Sequence, residues 1–113
     1  MKTVSKKIYY FIGVGGIGMS ALARLCLKDG YSVYGYDKIS SEITDQLIKK
    51  GINIIFDNSV SALNELLLST EVQIIYSAAI PNSHPQLEFY KKQGNNVSKR
   101  AEFLSKICNN KKT

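Results

Sequence analysis

Four glycines near the amino terminus have the spacing of a phosphate-binding loop. Gly13, Gly15 and Gly18 fit the pattern G-x-G-x-x-G, and Gly16 lies among them. Glycines let a phosphate approach the backbone closely, and the unpaired amides and dipole of a following helix attract its charge. The pattern therefore indicates binding of a nucleotide diphosphate. The alternative is a tight strand-to-helix turn that binds nothing, which explains four glycines poorly.

An aspartate and a loop of small residues are the other candidates for chemistry. Asp37 follows Gly18 by 37 − 18 = 19 residues, where a Rossmann-type unit places an acidic residue that accepts hydrogen bonds from a ribose or base. Its alternative is an ordinary loop aspartate. Residues 77–81 are mostly small, end in a proline and follow an apolar run, so they should lie at the sheet edge where α/β proteins bind ligands.

A parallel sheet is needed to position these groups. Apolar and aromatic runs predict strands at residues 8–12, 31–36, 52–56, 72–76 and 96–98. Helical patterns alternate with these strands. This alternation predicts one domain with a Rossmann-like open, mostly parallel five-stranded sheet and helices on both faces.

The predicted helices have recognisable starts and inner faces. Ser40 or Ser41 caps the second, whose inner side is Ile43, Leu47 and Ile48. A third follows residues 57–59 and buries Leu63, Leu66 and Leu67. The fourth opens with a Ser83-x-x-Gln86 capping box. The last covers residues 100–108 and buries Phe103, Leu104, Ile107 and Cys108.

Composition excludes several classes of protein. The net charge is 15 − 9 = +6, with seven basic residues and one acid in residues 91–113. A solvated helix face is favoured over a nucleic-acid surface, because the basic residues are not interleaved with the aromatic residues that single-strand binding would use. Nucleic acid is therefore not an expected partner. A membrane is not expected either, because no apolar run approaches the length of a membrane span.

The cysteines and the histidine do not suggest a metal or catalytic site. Cys26 and Cys108 fall on apolar helix faces, so we interpret them as core residues in a reducing cytoplasm. They lack zinc-site spacing. His84 is the one histidine of the chain, and we interpret it as a helix-start residue and not as a catalytic base.

Several motifs together resemble the Mur ligase family. Phe11-Ile-Gly-Val-Gly-Gly-Ile-Gly-Met-Ser20 resembles its opening, and the Gly15-Gly16 pair and Met19-Ser20 separate it from ordinary dinucleotide binders. Further similar segments are Gly35-Tyr36-Asp37, Tyr76-Ser-Ala-Ala-Ile80, His84-Pro85-Gln86-Leu87 and Arg100-Ala-Glu-Phe-Leu104. The family has Asn-Pro-Glu-Leu where this chain has the His84 segment. The resemblance covers about residues 8–108.

The resemblance implies an enzyme of peptidoglycan biosynthesis that binds UDP-N-acetylmuramic acid and joins L-alanine to it. ATP would phosphorylate the muramoyl carboxylate, Mg²⁺ would neutralise the phosphates, and the amine of L-alanine would attack the acyl phosphate. The family's ATP loop, Gly-Thr-His-Gly-Lys-Thr-Thr, is expected after a point like Thr113, and the chain has no Walker motif. We therefore expect an isolated N-terminal domain, residues 1–113, that lacks the ATPase and C-terminal domains and binds without catalysis.

The resemblance also assigns site residues. The backbone amides of Gly15, Gly16, Ile17 and Gly18 should face the diphosphate, with Met19 and Ser20 completing the motif. The Ser20 hydroxyl either bonds the ligand or lies on the helix surface. Asp37 and Lys38 should meet the uridine. Opposite them, the wall of the crevice should consist of Ser77, Ala78, Ala79 and Ile80.

Arg100 is a candidate for the anionic part of the ligand, and its alternative is a surface ion pair with Glu88 or Glu102. No cofactor or metal is expected in this part of the enzyme. Two other functions stay open: the ligase that attaches murein tripeptide to the same sugar nucleotide, and an NAD-binding regulatory Rossmann module.

Overall fold

A parallel sheet forms the centre of the computed structural model, which describes residues 7–100 and residue 102. Its strands are β1 (Ile8–Ile12), β2 (Ser32–Tyr36), β3 (Asn53–Ile55), β4 (Gln73–Tyr76) and β5 (Val97–Lys99). They lie in the order β3-β2-β1-β4-β5, and every neighbouring pair is parallel. The predicted Rossmann-like fold is confirmed. The strand order changes direction between β1 and β4, where such sheets bind ligands.

The α-helices are α1 (Ile17–Lys28), α2 (Glu42–Lys49) and α3 (Pro85–Gln93). Capping of α2 by Ser41 is confirmed, because its hydroxyl accepts from the Thr44 amide and its own amide donates to the Thr44 hydroxyl. The helices cover both faces of the sheet. Alternate residues of β1 lie on opposite faces of the sheet. Tyr9 and Phe11 pack with α1 and α2, whereas Tyr10 and Ile12 pack with α3.

The predicted third helix is wrong. That segment forms two short 3-10 turns, Val60–Ala62 and Leu66–Leu68. Leu67 is buried as expected, but Leu66 is 55% exposed. The Asn64 side chain accepts a hydrogen bond from the Leu67 amide at 2.9 Å, and such local bonding competes with a continuous helix.

Other expectations about helices also differ from the structure. Ile48 of α2 is exposed. The capping box at Ser83 is wrong, because α3 begins after His84 and has no side-chain cap. The expectation that Pro85 lies inside the first turn of this helix is confirmed. Arg100 and Glu102 are helical, as expected for the start of the last predicted helix. Its inner residues Phe103, Leu104, Ile107 and Cys108 lie outside the described residues.

Gln86 is a buried connection between α3 and the sheet. Its Oε1 accepts from the Tyr10 hydroxyl at 2.6 Å, and its Nε2 donates to the carbonyls of Asp57 and Ser59 at 3.0 and 2.9 Å. The side chain is fully buried. Burial raises the pKa of Tyr10 far above its usual value, so this hydroxyl remains a donor. Gln86 thus fixes the segment after β3 against β1 and α3.

We predict that Gln86→Leu lowers the free energy of unfolding by about 2–3 kcal/mol, because the buried Tyr10 hydroxyl loses its acceptor and the carbonyls of Asp57 and Ser59 lose the Gln86 donor. Urea denaturation measures the change. The control is Gln46→Leu, which removes one exposed contact to Arg24 at 3.3 Å and should change stability by less than about 0.5 kcal/mol. Equal losses in both variants would contradict the role of Gln86.

Candidate functional site

Three loops meet at the carboxyl edge of the sheet, after β1, β2 and β4. The amides of Gly13 and Val14 both donate to the Tyr36 carbonyl, at 2.8 and 2.9 Å, and the Ser77 amide donates to the Ile12 carbonyl at 3.1 Å. These bonds hold the glycine loop beside Asp37 on one side and residues 77–81 on the other. The structure therefore brings together the segments that the sequence predicted for the site.

Asp37 contacts the glycine loop directly. Its Oδ2 accepts from the Gly15 amide at 2.7 Å, and its Oδ1 accepts from the Lys38 amide at 2.8 Å. A Cβ on Gly15 would lie 2.6 Å from Oδ2, so only glycine permits this approach. The Gly15 amide was expected to face a diphosphate, but here it holds the carboxylate. The Gly16 amide is also engaged, with the Gly13 carbonyl at 3.3 Å.

The start of α1 is open at this edge. Gly16 caps the helix with extended backbone (φ −69°, ψ 153°), and no side chain among the described residues caps it. The Ser20 amide makes the first helical bond, to the Gly16 carbonyl at 2.8 Å. The amides of Ile17, Gly18 and Met19 therefore have no helical acceptor, and the positive end of the helix dipole lies here.

The side chains of Met19 and Ser20 point away from this edge. Met19 belongs to the core under α1. Ser20 is buried, and its hydroxyl donates to the Ile17 carbonyl at 2.9 Å. This corrects the alternative that the Ser20 side chain lies on the helix surface, whereas its bond to a ligand stays a prediction. Of Met19, the group that remains available to a ligand at this edge is the backbone amide.

Arg100 lies against the same helix start, on the other side from Asp37. A Cβ built on Gly18 would meet three guanidinium atoms of Arg100 at 3.1–3.2 Å. The side chain is otherwise exposed to solvent. A positive charge thus lies at the start of α1, beside Gly18. That Arg100 meets the anionic part of a ligand stays a prediction.

A cavity of about 360 Å³ opens beside the glycine loop. Four of the predicted site residues line this cavity: Asp37, Lys38, Ala79 and Ile80. Ser77 and Ala78 do not line it, because residues 77–80 turn: the Ser77 carbonyl accepts from the Ile80 amide at 3.0 Å and its Oγ accepts from the Ala79 amide at 3.1 Å.

Sequence reasoning missed other lining residues, among them Tyr36, Asn58 and His84. Asn58 follows β3, and the meeting of parallel strand ends at one edge could have located it. His84 carries no such signal. It is 6% exposed, its ring meets the Tyr36 ring edge-on at 4.8 Å, and neither ring nitrogen has a hydrogen-bond partner among the described residues. Burial lowers the pKa of His84 below 6.5, which keeps the ring neutral at pH 7.

Within residues 7–100 and 102, no group of three or more His, Cys, Asp or Glu side chains is placed to hold a metal ion. Burial raises the pKa of Cys26 to about 12, so its thiol is not a nucleophile at neutral pH. No helix in the described part of the chain has the length and apolar character needed to cross a membrane.

Comparisons with known proteins agree on one family. The family model described as "Mur ligase family, catalytic domain" matches residues 8–112. The chain is 45% identical over 102 residues to UDP-N-acetylmuramate–L-alanine ligase of Porphyromonas gingivalis, covering 89% of this chain. It is 42% identical over 107 residues to the enzyme of the same name from Christiangramia forsetii, covering 93% of this chain.

A solved structure is similar as well. UDP-N-acetylmuramate–alanine ligase MurC from Thermotoga maritima superposes with a TM-score of 0.83 at 27% identity, over 96% of this chain and 24% of that one. The chain spans 22% of the length of the Porphyromonas relative and 24% of the Christiangramia relative.

We predict that stability falls as the pH drops from 7 to 5 and that His84→Phe removes this dependence. The unfolded chain takes up a proton near pH 6.5, whereas the folded chain, with its lowered His84 pKa, does so only at lower pH. Stability is therefore full above pH 6.5 and is lost as the pH falls through the folded pKa. Urea midpoints across this range measure it.

His84 is the only histidine, and carboxyl groups titrate mainly near pH 4, so the slope is assignable to one side chain. A slope that persists unchanged in the variant would contradict the assignment.

Proposed function

The chain belongs to the Mur ligase family, and we propose that it binds the UDP part of UDP-N-acetylmuramic acid in a ligase that joins L-alanine to this sugar nucleotide. The observation that carries the proposal is the open start of α1 beside the Arg100 guanidinium. Free amides, the positive end of a helix dipole and a cation lie close together here, and such an arrangement binds a diphosphate well. The names of the relatives support the L-alanine-adding branch over the tripeptide-attaching one.

The proposed pose runs along the carboxyl edge of the sheet. The diphosphate lies on the amides of Ile17 and Gly18, with Arg100 neutralising part of its charge. The nucleoside lies toward Asp37, whose carboxylate accepts from ribose hydroxyls. Because a carboxylate repels a diphosphate, its attachment to the amides of Gly15 and Lys38 is favourable: it holds the negative charge at the hydroxyl-bearing end of the ligand.

The reaction itself is assigned to other parts of the longer enzyme. ATP and Mg²⁺ would activate the muramoyl carboxylate, and L-alanine would enter there. In this proposal residues 1–113 are the N-terminal, sugar-nucleotide-binding domain of a cytoplasmic enzyme of cell-wall synthesis. We expect the chain alone to bind the sugar nucleotide without hydrolysing ATP.

Calorimetric titration of the chain with UDP-N-acetylmuramic acid, UDP and NAD tests the proposal. We expect both uridine nucleotides to bind and NAD not to bind. The difference between the two uridine nucleotides reports the contribution of the sugar, at about 1.4 kcal/mol per tenfold in affinity. Preferential binding of NAD would overturn the substrate assignment and favour a dinucleotide module.

We predict that Gly16→Val abolishes binding of UDP-N-acetylmuramic acid while the fold is retained. A Cβ here meets only the Gly13 carbonyl at 3.7 Å, and valine readily adopts the extended backbone, so the protein tolerates the change. The branched side chain would instead project where the diphosphate approaches the loop. Titration combined with circular dichroism measures both effects.

The matched control is Ala21→Val, which adds similar bulk to an exposed position of the same helix. It should leave affinity unchanged. Normal affinity in folded Gly16→Val would remove the glycine loop from the site.

A further inference from the structure

His84 is a buried polar side chain without a partner in the described part of the chain. It occupies the capping position of α3 but makes no capping bond, and both of its ring nitrogens lack hydrogen bonds. A neutral imidazole carries one donor and one acceptor, and leaving both unpaired in a buried site is unfavourable. Helix capping therefore does not explain the residue.

The surroundings of His84 connect it to the proposed ligand. It lines the cavity that Asp37 and Asn58 also line. Its ring packs edge-on against Tyr36, whose carbonyl holds the glycine loop. With the diphosphate at the start of α1 and the ribose at Asp37, the next group of a nucleotide is its base, and this cavity is the adjoining space.

We infer that a ring nitrogen of His84 hydrogen-bonds the imide edge of the uracil base, which makes His84 a specificity-determining residue of this site. The inference rests on the proposed function and adds a base contact that diphosphate binding does not require. Uracil offers an N–H between two carbonyl groups, so either ring nitrogen of a neutral imidazole finds a complementary partner.

The ring can reach such a partner without losing a bond. The torsion that rotates an imidazole about its Cβ–Cγ bond is broad, and neither nitrogen has a protein partner to give up among the described residues. A base in the cavity would provide the missing partner. A purely structural His84 would not respond to whether the imide edge of the base is free or blocked.

The first experiment follows the imidazole directly. His84 is the only histidine of the chain, so a long-range ¹H–¹⁵N spectrum of protein prepared without a histidine tag contains one imidazole. We expect saturating UDP to shift its nitrogen resonances. Inorganic pyrophosphate, which has no base, should shift the amides of Ile17 and Gly18 and leave the imidazole unchanged. Unmoved nitrogen resonances at saturation with UDP would overturn the inference.

The second experiment separates base recognition from packing. For the wild-type chain, we expect 3-methyluridine diphosphate, whose imide edge is blocked, to bind about tenfold more weakly than UDP. His84→Phe keeps an aromatic ring against Tyr36. It should lower UDP affinity by about tenfold and leave affinity for the methylated ligand unchanged.

The matched control is Tyr34→Phe, which removes a hydroxyl from β2 outside the cavity lining and should preserve the preference for UDP. A preference that survives in His84→Phe would overturn the inference and leave the proposed function standing. Failure of the wild-type chain to bind any uridine diphosphate would instead overturn the proposed function, and the inference with it.

Discussion

The carbonyl of Tyr36 is the point on which the site depends. It accepts hydrogen bonds from the amides of Gly13 and Val14, and so fastens the loop after β1 to the end of β2. Together with the parallel pairing of β1 and β2, this attachment keeps Gly15 and Asp37 as neighbours. Two strands paired in parallel thus present their carboxyl ends as one surface.

Opposite charges flank the start of α1 as a result. The Asp37 carboxylate lies against Gly15, and the Arg100 guanidinium lies against Gly18. The approach of Asp37 requires the absence of a side chain on Gly15, and the position of Arg100 is the one it takes against a Gly18 that has no Cβ. The glycine pattern therefore serves the protein's own charged groups as well as any ligand, and it gives the site an anionic end and a cationic end within one helical turn.

Sequence reasoning succeeded where a residue acts through its backbone or through a periodic apolar pattern. The bounds of β1, the parallel fold and the convergence of Asp37 with the glycine loop all follow from such signals. It failed where hydrogen bonds of side chains determine the local structure. Asn64 interrupted a helix that its leucines favoured, and Ser20 turned its hydroxyl to a carbonyl of its own helix.

Gln86 is another residue whose role depends on side-chain hydrogen bonds that the sequence pattern does not predict. Its position three residues after Ser83 predicts a cap, but its partners Tyr10, Asp57 and Ser59 are distant along the chain and depend on the completed fold. The environment of His84 is hidden from sequence for the same reason. The sequence pattern alone predicts which edge of the sheet carries the candidate site. Tertiary packing determines which side chains line the cavity there.

The double attachment of Asp37 has a consequence for ligand discrimination. Both of its oxygens are held by backbone amides, so the carboxylate cannot turn aside to accommodate another negative group. In the proposed pose, a nucleotide with a phosphate on its ribose would bring like charges together at short range, and the Asp37 carboxylate could not move away without losing its two amide bonds. In the proposed pose, discrimination against such a nucleotide would therefore come from the backbone that holds Asp37.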